Sequence, residues 1–176
     1  AQNYIRGTPN GIRMDADSAL VWSPAHFTWM DTNFPAATPR EGYPVEIQVL
    51  WIRLLRQLAR LDGAKRKYWS DLADRAFASF EKFFWLEPKG FYADVLLAKK
   101  NQSAAGATAS DALRSNGLFA VSLGVVGGAR AKRCVEAALK YLVVPGALRS
   151  LAPLPVSVPL PVNGNDGRPL NDPANP

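Results

Sequence analysis

The 176-residue sequence predicts an all-α fold of helical hairpins, and three apolar stripes carry that prediction. The first places apolar side chains at 47, 50, 51, 54, 55, 58 and 61, with Arg53, Arg56, Gln57 and Arg60 off the stripe. Such three-and-four spacing marks a helix with one buried face. Pro44 suits a first helical turn, Glu46 the positive end of the helix dipole, and Gly63 the stop. The second stripe runs Trp69, Leu72, Ala73, Ala76, Phe77, Phe80 and Phe84, ending near 86–90. A short connection makes the two an antiparallel hairpin. The third stripe, Ala131, Val135, Ala138, Leu139 and Leu142, predicts a helix over about 129–143. A shorter helix from Asn116 to Val125 precedes it, broken off by Gly127-Gly128.

The connections are read by composition. "GFYADVLLA" (90–98) holds strand-forming residues, so short β segments are expected in the loops. "KKNQSAAGATASDA" (99–112) is small and polar and reads as loop. Residues 151–176 carry seven of the chain's 14 prolines, which forbid a helix interior or a central strand. That stretch is expected to be extended. Its Leu154, Val156, Val158, Leu160 and Val162 look like side chains meant to be covered. The expected division is therefore 1–150 as a helical-hairpin domain and 151–176 as a Pro-rich segment continuing into a further remainder.

Composition narrows the function. With 48% hydrophobic and 20% charged residues the chain is globular, and its apolar runs are far too short to span a bilayer. A net charge of +6 comes from 21 Lys and Arg against 15 Asp and Glu. The basic residues are scattered beside helical patterns, so neither nucleic acid nor a membrane is an expected partner. One cysteine, Cys134, forms no internal disulfide, lies beside the third stripe as a packing residue, and fits a cytoplasmic location.

Residues 26–51, "HFTWMDTNFPAATPREGYPVEIQVLW", gather five aromatics with His26, Asp31, Arg40, Glu41 and Glu46 just ahead of and into the first helix. Asp31 follows Trp29 and Met30, an apolar setting that would raise its pKa and keep it protonated. Its plain alternative is an Asp capping a turn. Arg40 follows Pro39 and could donate a forked pair of hydrogen bonds, or form a surface ion pair with Glu41. Glu46 suffices as a helix-dipole partner. Phe27 and Trp29 are core aromatics or stacking platforms for a ligand, Trp29 being the better platform candidate. His26 lacks the company a metal site needs and reads as a loop hydrogen-bonder. Arg114 and Asn116 precede the third helix as helix-capping or substrate-side polar groups.

Taken together, Thr28-Trp29-Met30-Asp31, Thr38-Pro39-Arg40 and Val45-Glu46-Ile47-Gln48-Val49-Leu50-Trp51 resemble the glycogen debranching family with amylo-α-1,6-glucosidase activity. "ALRSNGLFAVSLG" (112–124) and "VVPGALRSLAP" (143–153) are similar to later segments of that family in the same order. Gln48 stands where the family commonly has Asn, and Ser115 and Gly117 where it has Pro and Gln. The resemblance implies a partial α/α toroid, part of a six-hairpin barrel, with its active site in the loops at one end. It implies hydrolysis of α-1,6-glucosidic branch points in glycogen or limit dextrin, by two carboxylates and with no metal or organic cofactor. Asp31 becomes the general acid, and Trp29, Arg40, Glu46, Arg114 and Asn116 the substrate-binding groups; Glu46 is either a sugar hydroxyl acceptor or the partner of Arg40. The second carboxylate is expected outside this chain, so residues 1–176 alone are expected to be inactive and to associate with the rest of their domain or with another chain. The competing expectation is a non-catalytic helical module that binds carbohydrate or protein.

Overall fold

The computed structural model describes residues 1–30 and 39–176. Helix α1 (Gln2–Arg6) leads to strands β1 (Arg13–Met14) and β2 (Val21–Trp22). Strand β3 (Gly42–Pro44) runs straight into α2 (Val45–Leu61), and a 3-10 turn, Gly63–Lys65, connects to α3 (Arg66–Phe83). Next come β4 (Trp85–Leu86), β5 (Phe91–Tyr92), β6 (Val95–Leu97) and β7 (Thr108–Ser110). A 3-10 turn, Ser115–Leu118, opens the short α4 (Phe119–Ser122), followed by α5 (Gly128–Tyr141), β8 (Val143–Val144) and β9 (Ala147–Leu148).

This is not an all-α toroid. Helix accounts for 40% of the structure and strand for 17%, the strands lying in several small antiparallel sheets. The largest sheet has the order β3-β6-β7, with Pro44 opposite Val95 and Val95 opposite Ser110. Its ladders are three residues long and those of the other sheets two, too short for alternation to show in sequence. They form because the loop ahead of α2 comes very close to β6. At Gly42 (φ 132°) an added Cβ would fall 2.1 Å from the Leu96 carbonyl oxygen, so only glycine permits the pairing.

The expected first hairpin is present: α2 and α3 pack together across their short connection. Its buried face is rotated from the expected stripe. Val45, Glu46, Gln48, Val49, Trp51, Ile52 and Leu55 point inward, while Leu50, Leu54 and Leu61 are exposed. On α3 the expected residues Trp69, Leu72, Ala73, Ala76 and Phe80 are buried. Phe80 stacks between Phe84 and Tyr92 at ring distances of 5.0 and 4.8 Å, joining α3 to β5. The expected helix from 116 to 125 shrinks to the 3-10 turn and α4. It stops at Gly124 (φ 65°), where the amides of Val125 and Val126 both turn back to Ala120 O. On α5 the inward residues are Cys134 and Ala138, with Leu142 just beyond, whereas Val135 and Leu139 are exposed.

Residues 151–176 double back on themselves. Val156 N–H donates to Ala174 O at 2.9 Å, Leu160 N–H to Pro173 O at 2.8 Å, and Leu170 N–H to Val162 O at 2.8 Å. The lobe is fastened to the body where Ala152 N–H meets Leu113 O and Ser157 N–H meets the Asp111 carboxylate, at 2.9 and 2.8 Å. No described helix is long and apolar enough to cross a membrane.

Candidate active site

The start of α2 and the β3-β6-β7 sheet bring four ionised side chains together. Arg40 is 2% exposed and sits in the left-handed region (φ 49°), a conformation non-glycine residues adopt only when neighbours impose it. Its Nη1 and Nη2 donate to the two Glu46 oxygens at 2.6 Å each, a forked pair. Its Nε donates to Asp94 Oδ2 at 2.9 Å, and Nη2 reaches Asp94 Oδ1 and the Asp94 carbonyl at 3.1 Å. Arg114 Nε lies 3.5 Å from Asp94 Oδ2. Two cations therefore meet two carboxylates away from water, and the cluster is charge-balanced. Burial alone would weaken protonation of Arg40, but Glu46 and Asp94 outweigh it and raise its pKa. For Arg114 burial wins and the pKa falls, the attraction of Asp94 being countered in part by Arg40.

Asp94 is the member that sequence inspection did not single out. It stands between β5 and β6, with its N–H donated to Ser110 O at 3.0 Å and its carbonyl accepting from Val45 N–H at 2.9 Å. The available signal was a lone carboxylate inside the apolar run "FYADVLL", since a charge in such a place needs a buried partner. Asn116 Nδ2 donates to Asp94 Oδ1 at 3.1 Å and touches Met30 Sδ at 3.2 Å.

The structure thus brings Arg40, Glu46, Arg114 and Asn116 together. Asp31 lies outside the described residues. The segments that flank it are tied to the cluster: Arg40 Nη1 donates to Thr28 Oγ1 at 3.3 Å, and His26 N–H to Pro39 O at 3.0 Å. Trp29 stands 64% exposed with its ring 5.1 Å from that of Phe119. Phe27 is exposed as well. Lys99, rather than Arg40, is the ion-pair partner of Glu41. Among the described residues, the Nδ1 atom of His26 is buried without a hydrogen bond, and no three His, Cys, Asp or Glu side chains gather as metal ligands. Burial pushes the Cys134 thiol up to about 11, which suits a packing residue.

Arg40, Asp94 and Arg114 line an open cleft of about 860 Å³ together with Val158–Val162 of the doubled-back lobe. That volume falls in the range of small-molecule sites.

The amylo-alpha-1,6-glucosidase family model matches residues 1–158, nearly the whole chain. The chain belongs to that family, which makes it a glycoside-hydrolase-type domain of glycogen debranching and implies an α-glucan as its ligand. No curated protein matches it.

Proposed function

We propose that the chain carries the acid half of an amylo-α-1,6-glucosidase site, releasing branch-point glucose from glycogen or limit dextrin. What carries the proposal is convergence: Thr28, Met30, Arg40 and Glu46, all from the family-like motifs, meet Asp94 and Asn116 in one hydrogen-bonded cluster beside a cleft.

In this mechanism Asp31, protonated, gives its proton to the glycosidic oxygen as the C1–O bond breaks. The electron pair of that bond leaves with the oxygen, which departs as the 6-hydroxyl of the shortened glucan. A water oxygen bonds to C1, and its proton goes to the second carboxylate, which we place outside residues 1–176. Glu46 and Asp94 are not that base, since Arg40 already holds both. Trp29 offers an exposed ring to a sugar face. Arg40, Glu46, Arg114 and Asn116 form the polar floor near which sugar hydroxyls would bind. We further propose that residues 1–150 form the glucosidase part, to which the Pro-rich residues 151–176 are added as a doubled-back lobe.

The test is glucose release from an α-1,6-branched limit dextrin by the longer protein that also contains the second carboxylate. Asp31→Asn should lower the rate about 10²–10⁴-fold, the usual worth of a general acid, with affinity for the dextrin within a few-fold of the parent. An unchanged rate would remove Asp31 from the chemistry and favour a binding module.

A further inference from the structure

We propose that Asp94 is a positioning residue: it holds both stems of the segment carrying Asp31, and so governs protonation of the glycosidic oxygen without touching the sugar. This inference rests on the function proposed above.

The carboxylate of Asp94 cannot wander. Its own backbone is bonded on two sides, to Ser110 and to Val45, and the residue is 3% exposed. From that fixed point hydrogen bonds run to both flanks of residues 31–38. On the exit side, Arg40 grips Asp94 through Nε and Nη2. On the entry side, Asn116 links Asp94 Oδ1 to Met30 Sδ, and Arg40 itself reaches Thr28 Oγ1. Thr28 Oγ1 in turn accepts from Met30 N–H at 3.2 Å. Entry and exit stems are therefore referenced to one carboxylate.

The backbone adds a second reason. Arg40 (φ 49°) and His26 (φ 60°) both occupy the left-handed region, and the His26 N–H to Pro39 O bond closes the stem between them. Each such conformation is costly and persists only under imposed contacts. For Arg40 the grip of Glu46 and Asp94 supplies those contacts. With Asp94 neutralised, the guanidinium keeps Glu46 but loses the partner that also orders Asn116, and both stems can shift. Catalytic geometry is unforgiving: a displacement of about 1 Å can cost about 100-fold in rate.

The experiment uses Asp94→Asn in the longer protein, with two substrates in the same preparation. One is an α-1,6-linked glucoside, whose leaving alkoxide needs a proton. The other is α-glucosyl fluoride, whose fluoride leaves without one. The expected result is a fall in kcat of about 10–100-fold on the glucoside, with KM within about threefold and the fluoride rate reduced less than about threefold. Retention on fluoride shows at the same time that the variant is folded. Equal losses on both substrates, or no loss on either, would overturn the proposal.

Should Asp94→Asn not fold, Thr28→Val removes only the Thr28 hydroxyl contacts. It should give a smaller loss on the glucoside alone, whereas an equal effect on both substrates would again overturn the proposal. Asp31→Asn, run alongside, separates this inference from its foundation. If Asp31→Asn loses the glucoside and Asp94→Asn keeps it, positioning by Asp94 is wrong and the acid stands. If Asp31→Asn keeps both substrates, the acid assignment is what fails.

Discussion

Gln48 lies fully buried on α2, where its amide satisfies both backbone groups of Val21. Oε1 accepts from Val21 N–H at 2.7 Å, and Nε2 donates to Val21 O at 2.9 Å and to Pro44 O at 3.1 Å. The side chain behaves as one more strand residue beside β2, tying it to the start of α2. Replacing it with leucine would keep the volume and orphan two buried backbone groups. At about 1–3 kcal/mol for each, Gln48→Leu should lower unfolding stability by about 2–6 kcal/mol in denaturant titrations. A loss under about 0.5 kcal/mol would show that Val21 finds other partners. The same residue explains a limit of sequence inspection. A hydrophobic stripe weights Gln48 and Glu46 as solvent-facing, so the expected face of α2 included Leu50, Leu54 and Leu61. Val21 and Arg40 pull the two polar side chains inward, and the helix turns with them. The motif residues around Arg40 were legible because the family pattern marks them. Asp94 was not, because its partner lies 54 positions away.

At the scale of elements, long periodic segments were legible and short pairings were not. The α2–α3 hairpin follows from apolar spacing, and α5 needed only a one-residue rotation that buries Cys134 in place of Val135. Strands of two or three residues leave no periodic trace, and they are what make the fold mixed. The tail is a further case: repeated proline excludes helix and ladder positions, but leaves unsaid that Asn171 would bond Val162 N–H and Leu160 O to close a lobe. Asp111 fastens that lobe. Burial disfavours its charge, but Lys89 and the Ser157 amide outweigh burial and hold its carboxyl below the usual carboxylate range. A carboxyl depressed in the folded state stabilises fully above its unfolded value, about pH 4, and loses that contribution as pH falls through the depressed value. Amide exchange at Ser157 should therefore be protected at pH 6 and lose protection on acidification below about pH 4. In Asp111→Asn the protection should already be reduced at pH 6. Equal protection in both proteins at pH 6 would show that the lobe is held by something else.

At the scale of the whole molecule, the buried polar cluster at the start of α2 contrasts with large apolar side chains left exposed on α2 and α5. Leu139 and Leu61 stand 62% and 82% exposed, far from the environment their size favours. The buried cluster, by contrast, pairs the guanidinium groups of Arg40 and Arg114 with the carboxylates of Glu46 and Asp94. A buried ion network contributes little net stability against an apolar substitute, yet breaking it by removing one partner costs about 3–5 kcal/mol. Such a network suits a role in holding geometry, which is the role that the proposed chemistry requires of it.

That chemistry is tested most directly by a crystal structure of the Asp31→Asn protein soaked with an α-1,6-linked disaccharide, the substitution sparing the substrate from cleavage. The sugar is expected beside the Arg40–Glu46–Asp94 cluster, with a ring face on Trp29 and the glycosidic oxygen within about 3 Å of the side chain at position 31. A disaccharide bound elsewhere, or bound there with residue 31 turned away from the linkage, would contradict it.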